Sequence, residues 1–244
     1  MIDWKPRYEA KRCTAADAIK RIRPRQRILI GSGVGEPEHL VQALCQEGGH
    51  LYDNEIVHLL TLGSAPYVAP EFAGRFRHLA FFIGANVREA VNTCRADFMP
   101  VFLGEIPRLI RTQLPIDVAL IQVSPPDEHG FMTLGVSVDI VRSAVDTADM
   151  VIAEVNPNMP RTWGDTTVHV DDVGCIIEVD YKLPSLPIPE LGDVERSIGR
   201  HVASLIPDGA TLQMGIGRIP DAVLKELGNH HDLGIHTEMF SDGV

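Results

Sequence analysis

Arg27-Ile-Leu-Ile30 leads into Gly31-Ser-Gly-Val-Gly35, and Pro37 then opens the run Glu38 to Glu47. This stretch decides the fold class. Four β-favouring residues enter a glycine turn, the proline suits a first helical turn, and Gly48-Gly49 ends the helix. The product is strand, turn and helix. Working outward, the same alternation recurs. Glu55 to Thr61 and His78 to Ile83 read as buried strands, separated by Gly63 to Pro70, a loop too rich in proline to be either element. Asn86-Val-Arg-Glu89 reads as a capping box opening a helix to about Arg95; Met99 to Leu103 is expected as a strand and Ile106 to Leu114 as a helix. Asp117 to Val123, Met150 to Val155 and Gly174 to Val179 are further strands, with a helix over Val138 to Thr147. Upstream, Thr14 is placed to cap a helix that Pro24 ends. The strands are apolar throughout rather than alternating, which a sheet covered on both faces requires, so a mostly parallel α/β sheet is expected.

The glycines at 31, 33 and 35 come close to the G-x-G-x-x-G dinucleotide fingerprint but miss its spacing by one residue. They fit either tight packing or a phosphate cradle for NAD or FAD. Two other loops stand at strand exits. Ser124-Pro-Pro-Asp-Glu-His-Gly130 crowds Asp127, Glu128 and His129 together, which suits an acid/base pair or ordinary turn chemistry. In Asn156-Pro-Asn-Met-Pro-Arg-Thr-Trp-Gly164, Arg161 is the one basic residue; it could hold a carboxylate or phosphate, or stack on Trp163.

Composition narrows the function. The chain has 244 residues, 45% of them apolar, and a net charge of −11 from 33 acidic and 22 basic side chains. That balance repels nucleic acid and anionic lipid, so any anionic ligand must be held by local donors. The N-terminus lacks the basic and apolar regions of a signal peptide, and no stretch approaches the roughly 20 apolar residues of a membrane span, so a cytoplasmic location is expected. Cys13, Cys45, Cys94 and Cys175 lie far apart without a C-x-x-C pair and read as small apolar fillers, and the ten histidines lack metal-binding spacing. No metal is expected.

Leu183-Pro-Ser-Leu-Pro-Ile-Pro189 cannot be a helix or a central strand, and a domain boundary is expected there, giving domains at 1–185 and 186–244. Beyond it lie an amphipathic helix from about Asp193 to Leu205, a strand over Ala210 to Gln213, the turn Met214-Gly-Ile-Gly-Arg218 and a helix from Pro220 to Leu227. A last strand, Leu233 to Thr237, completes a βαβ and sets Glu238 at its carboxyl end, the edge where α/β sheets bind ligands. A solvated loop glutamate has the same look.

Five stretches in order resemble the acetyl-CoA hydrolase/transferase family, most closely its 4-hydroxybutyrate CoA-transferase branch. They are Gly31-Ser-Gly-Val-Gly-Glu-Pro, Val123-Ser-Pro-Pro-Asp-Glu-His-Gly, Asn156-Pro-Asn-Met-Pro-Arg-Thr, Thr211-Leu-Gln-Met-Gly-Ile-Gly-Arg-Ile-Pro and His236-Thr-Glu-Met-Phe-Ser-Asp-Gly. The resemblance implies two similar open α/β domains, the second incomplete in this chain. It implies CoA exchange between an acyl-CoA and a short-chain carboxylate such as acetate, with Glu238 as nucleophile passing through an acyl anhydride to a glutamyl-CoA thioester. Gly215, Ile216, Gly217, Arg218 and Ile219 match the family's CoA-binding loop, and the Ser124 and Asn156 loops are expected in the walls of the acyl and CoA pocket. Coenzyme A enters as acyl-CoA substrate, and no metal or redox cofactor is implied. Acyl-CoA hydrolysis through the same glutamate is the near alternative, and a non-catalytic nucleotide-binding module the distant one. An incomplete second domain leaves strand edges uncovered, so a homo-oligomer or association with the missing C-terminal half is expected.

Overall fold

The computed structural model describes residues 3–185 and 190–244. Of the proline-rich boundary expected at Leu183 to Pro189, residues 186–189 lie outside the described residues. The chain divides into two compact units, Met1–Ser185 and Leu186–Val244.

In the first unit α1 (Lys5–Lys11) and α2 (Ala15–Ile19) precede β1 (Arg27–Ile30), α3 (Glu38–Glu47), β2 (Asn54–His58), β3 (Phe76–Ala80), α4 (Arg88–Asn92) and β4 (Ala96–Phe98). There follow α5 (Ile106–Thr112), β5 (Val118–Val123), β6 (Phe131–Thr133), α6 (Val141–Thr147), β7 (Met150–Val155), β8 (Thr167–His169) and β9 (Cys175–Glu178). Seven strands form one sheet in the order β4-β3-β2-β1-β5-β7-β9, and every neighbouring pair is parallel. Both faces are covered, as the continuous apolar runs require. In β5, Val118 and Leu120 pack with α2 and α3 on one face, while Ala119, Ile121 and Val123 pack with α5 and α6 on the other. β6 and β8 form a separate antiparallel pair. The chain runs outward from β1 through β4, then returns to lay β5 on the other side of β1. That reversal makes the crevice beyond the carboxyl ends of β1 and β5 the expected ligand site of such a sheet.

Several local expectations need correction. Asn86 does not cap α4: its Nδ2 donates to Thr61 and to the Gly63 carbonyl, and the helix starts at Arg88 without a side-chain cap. The edge strand is Ala96–Phe98 rather than Met99 to Leu103. Asp97 there pairs with Arg77 on β3, whereas Pro100 interrupts the later run. Cys94 is exposed rather than a core filler, with φ 58°. The Pro-rich loop contains two 3-10 turns, Pro66–Val68 and Pro70–Phe72.

The second unit is α7 (Asp193–Ala203), β10 (Thr211–Leu212), α8 (Arg218–Glu226) and β11 (Gly234–Ile235), with β10 and β11 parallel. A Cβ at Gly199 of α7 would lie 2.6 Å from the Ala222 carbonyl of α8, so glycine there is what lets the two helices touch. No helix among the described residues is long and apolar enough to cross a membrane.

Candidate active site

In the second unit the sequence-predicted residues come together. The His236 N–H donates to the Leu212 carbonyl at 2.9 Å, extending the β10–β11 pairing by one residue. Thr237 then reaches across with its side chain: its hydroxyl donates to the Met214 carbonyl at 2.7 Å and accepts the Met214 N–H at 3.3 Å. That clasp fixes the residue before Glu238 to the residue before Gly215. After Glu238 the chain folds back on α8, where the Ser241 hydroxyl donates to Asp221 at 3.4 Å. Glu238 is exposed and makes no hydrogen bond or ion pair among the described residues.

The turn Gly215–Ile219 is equally open. Gly217 has φ 117°, a conformation that side chains disfavour, and caps α8 without a side-chain hydrogen bond. The N–H groups of Arg218 and Ile219 therefore have no side-chain acceptor among the described residues, and α8 adds its positive N-terminal end. Among the described residues no atom within 4 Å would obstruct a Cβ at Gly215 or Gly217. Ile216 and Ile219 are about half exposed, and Arg218 lies 3.7 Å from Glu195 with most of its side chain in solvent. An open carboxylate and unclaimed N–H donors within one supersecondary unit are what attack on a carbonyl and stabilisation of the resulting oxyanion require.

In the first unit the crevice beyond β1 and β5 holds a polar cluster that sequence reasoning missed. Glu36 is buried, and its carboxylate accepts the Gly63 N–H at 2.7 Å, tying the loop after β1 to the loop after β2. Gln122 donates to the Glu36 carbonyl and to the Tyr181 hydroxyl, and Asn156 donates to Gln122 and to the Tyr181 carbonyl. Tyr181 in turn donates to Glu154 at 2.7 Å. The other Glu154 oxygen accepts the Leu40 N–H in the first turn of α3. Loss of hydration on burial is the main cause that raises both carboxyl groups, Glu36 and Glu154, from 4.5 to about 7. The only advance sign was Glu154 itself, one charge inside the apolar run Met150–Val155.

This cluster overturns the nucleotide-cradle reading of Gly31, Gly33 and Gly35. The α3 N-terminus, where a phosphate would sit, is occupied by the protein's own Glu154 carboxylate. The glycine turn is filled by backbone and Ser137: a Cβ at Gly31 would lie 2.8 Å from the Gly35 carbonyl, and one at Gly35 would lie 2.7 Å from Ser137. The glycines serve packing.

Nearby, His58 and His78 stack at 4.1 Å with Tyr67 edge-on to both rings. The His78 Nδ1 bonds the Ile56 carbonyl at 2.9 Å, whereas neither His58 nitrogen has a partner among the described residues. Desolvation holds His58 far below, and His78 at about 4 against, the usual 6.5.

The Ser124 loop is turn chemistry: Asp127 accepts the N–H groups of His129 and Phe131, each at 2.9 Å. Arg161 neither stacks on Trp163 nor stands free. It donates to Asp127 at 2.7 Å and to the Phe131 carbonyl at 2.9 Å, while Trp163 is 93% exposed. The two loops do share a wall, since Pro125, Pro126 and Pro157 line one cavity of about 430 Å³ with Trp4 and Tyr8. Among the described residues no three His, Cys, Asp or Glu side chains gather as a metal site would.

Residues 2–187 match the model of the acetyl-CoA hydrolase/transferase N-terminal domain. The whole chain is 48% identical to 4-hydroxybutyrate coenzyme A transferase of Clostridium kluyveri, of which it covers 57%. RipA from Yersinia pestis superposes with a TM-score of 0.95 at 30% identity, over 99% of this chain and 59% of that one. The 4-hydroxybutyrate CoA-transferase from Porphyromonas gingivalis gives 0.86 at 37% identity, over 99% and 57%. The chain thus spans little more than half the length of these relatives.

Proposed function

Because this chain belongs to the acetyl-CoA hydrolase/transferase family, we propose that it supplies the N-terminal domain and the nucleophile-bearing start of the second domain of an acyl-CoA:carboxylate CoA-transferase. The observation that carries the reading is the clasp of Thr237 on Met214, which holds Glu238 beside the Gly215–Ile219 turn. The Glu238 carboxylate attacks the acyl-CoA thioester carbonyl, forming an acyl-glutamyl anhydride and releasing CoA thiolate. That thiolate attacks the glutamyl carbonyl, the acyl group leaves as its carboxylate, and a glutamyl-CoA thioester remains. A second carboxylate, such as acetate, reverses the sequence and leaves with CoA. Each tetrahedral intermediate carries an oxyanion, and one well-aimed backbone donor stabilises it by about 3 kcal/mol. The turn residues Gly215, Ile216, Gly217, Arg218 and Ile219 are assigned to binding CoA and that oxyanion. Short acyl chains are assigned from relatives named for 4-hydroxybutyrate and for butyryl-CoA with acetate.

The test is incubation with butyryl-CoA, then borohydride, intact mass and peptide mapping, on this chain and on a polypeptide of the relatives' length containing it. Reduction of a glutamyl thioester to an alcohol removes about 14 Da at Glu238. Glu238→Gln is expected to abolish that change and to lower CoA transfer at least about 1,000-fold. Absence of the change in both polypeptides would sink the mechanism, and release of free acid without an acceptor carboxylate would mark a hydrolase instead.

A further inference from the structure

The linker between α1 and α2 runs beside the outermost strand of the seven-stranded sheet. Arg12 forms an isolated parallel bridge with Ile176, and the Cys13 N–H donates to the Ile176 carbonyl at 3.0 Å. In a pleated pair, residues flanking a bridged pair turn together to the opposite face. Cys13 and Cys175 flank this bridge, and both join the apolar cluster that α2 and α3 pack against. Cys175 is wholly buried there, while Cys13 is partly exposed at its margin. Burial chiefly, and the adjacent Cys13 thiol next, push the Cys175 thiol up to about 11, with Arg21 acting in the opposite direction. The two are diagonal across the bridge, Cys13 opposite Ile177 and Cys175 opposite Lys11, so the fold brings onto one face two thiols 162 positions apart in the sequence. Cys45 lies in α3 and Cys94 just after α4, away from this seam.

We propose that Cys13 and Cys175 form a reversible disulfide, a modification site whose oxidant is a low-molecular-weight disulfide such as oxidised glutathione. Cys13, the accessible thiol, loses its proton and attacks one glutathione sulfur, so a mixed disulfide forms and one glutathione thiolate leaves and is protonated. Cys175 then gives up its proton and attacks the Cys13 sulfur, expelling the second glutathione. Two protein thiols are oxidised and one glutathione disulfide is reduced to two thiols. The bond pins the α1–α2 linker to β9, and it does not depend on the CoA-transfer reading.

The test is to incubate the chain with glutathione disulfide at pH 8, unfold it in an alkylating agent, and count free thiols by intact mass and non-reducing peptide mapping. The Cys13 and Cys175 peptides are expected to be linked to each other without glutathione, the exposed Cys94 to carry its own glutathione, and all of these thiols to be restored by dithiothreitol. In a Cys45→Ser/Cys94→Ser variant the count should fall to zero; the wild-type map stands alone if that variant does not fold. Four alkylated thiols after oxidation would overturn the proposal, and so would Cys13 retaining glutathione while Cys175 stays free.

Discussion

Replacing Glu36 by Gln is expected to remove a pH-dependent loss of stability, and its size follows from the burial of this side chain. Its carboxyl group titrates at about 7 in the fold against 4.5 ordinarily, a difference of roughly 3 kcal/mol in favour of the protonated form. Below pH 4.5 the folded and unfolded chains are both protonated at this position, and the contribution is fully present. Between the two values the folded chain keeps a proton that the unfolded chain has released. Stability then falls by about 1.4 kcal/mol per pH unit as pH rises, and levels off above the folded value. His58 and His78 work in the other direction, because their folded values are lowered and they withdraw stability as pH drops below 6.5. Opposed slopes conceal each other in the wild-type profile, so the informative quantity is the difference between variant and wild type. Glu36→Gln stays neutral and keeps an oxygen for the Gly63 N–H. Urea unfolding followed by circular dichroism, at half-unit steps from pH 5 to 8.5, should show the variant gaining on wild type by up to about 3 kcal/mol and then running parallel. A difference independent of pH would mean that the Glu36 carboxyl is hydrated and titrates normally, refuting the reasoning.

His58→Leu removes two buried nitrogens without partners among the described residues, and the decline of the urea midpoint below pH 6.5 should become shallower than in wild type. Gly199→Ala sets a methyl group against the Ala222 carbonyl at 2.6 Å; we expect a loss of about 1–3 kcal/mol in the second unit, read as faster limited proteolysis there. Thr237→Val unties Glu238 from the glycine turn and should slow glutamyl-CoA formation about tenfold or more in a polypeptide of family length, with rescue by Thr237→Ser. Unchanged kinetics in the valine variant would remove the clasp from the proposed mechanism.

The sheet was legible because its strands are apolar on both faces: Val118–Val123 and Met150–Val155 were readable nearly residue for residue. The edge strand was not, since Ala96–Phe98 has only three residues and depends on the Arg77–Asp97 pair, a contact between residues distant in sequence. The antiparallel pair Phe131–Thr133 and Thr167–His169 was missed for the same reason of length. α1 went unread because its seven residues carry one buried side chain, Tyr8, and no apolar stripe. Asn86 had a correct local signature, yet the loop after β2 claimed its side chain instead. Glu238 and the Gly215–Ile219 turn were readable as a strand end facing a helix start. Glu36, Glu154 and Tyr181 were not, because a carboxylate declares itself buried only once its partners are known. Cys13 and Cys175 are far apart in sequence and share one face only through the Arg12–Ile176 bridge.

The Thr237–Met214 clasp also governs how positional error accumulates. Its two hydrogen bonds close a short circuit of 23 positions through α8 and β11, so the separation of Glu238 from the turn is set inside one supersecondary unit. Rigid displacement of that unit carries carboxylate and donors together, as the jaws of a caliper move with its frame. Tolerance to motion elsewhere in the polypeptide is therefore large, and tolerance to a lengthened or shortened α8 is small.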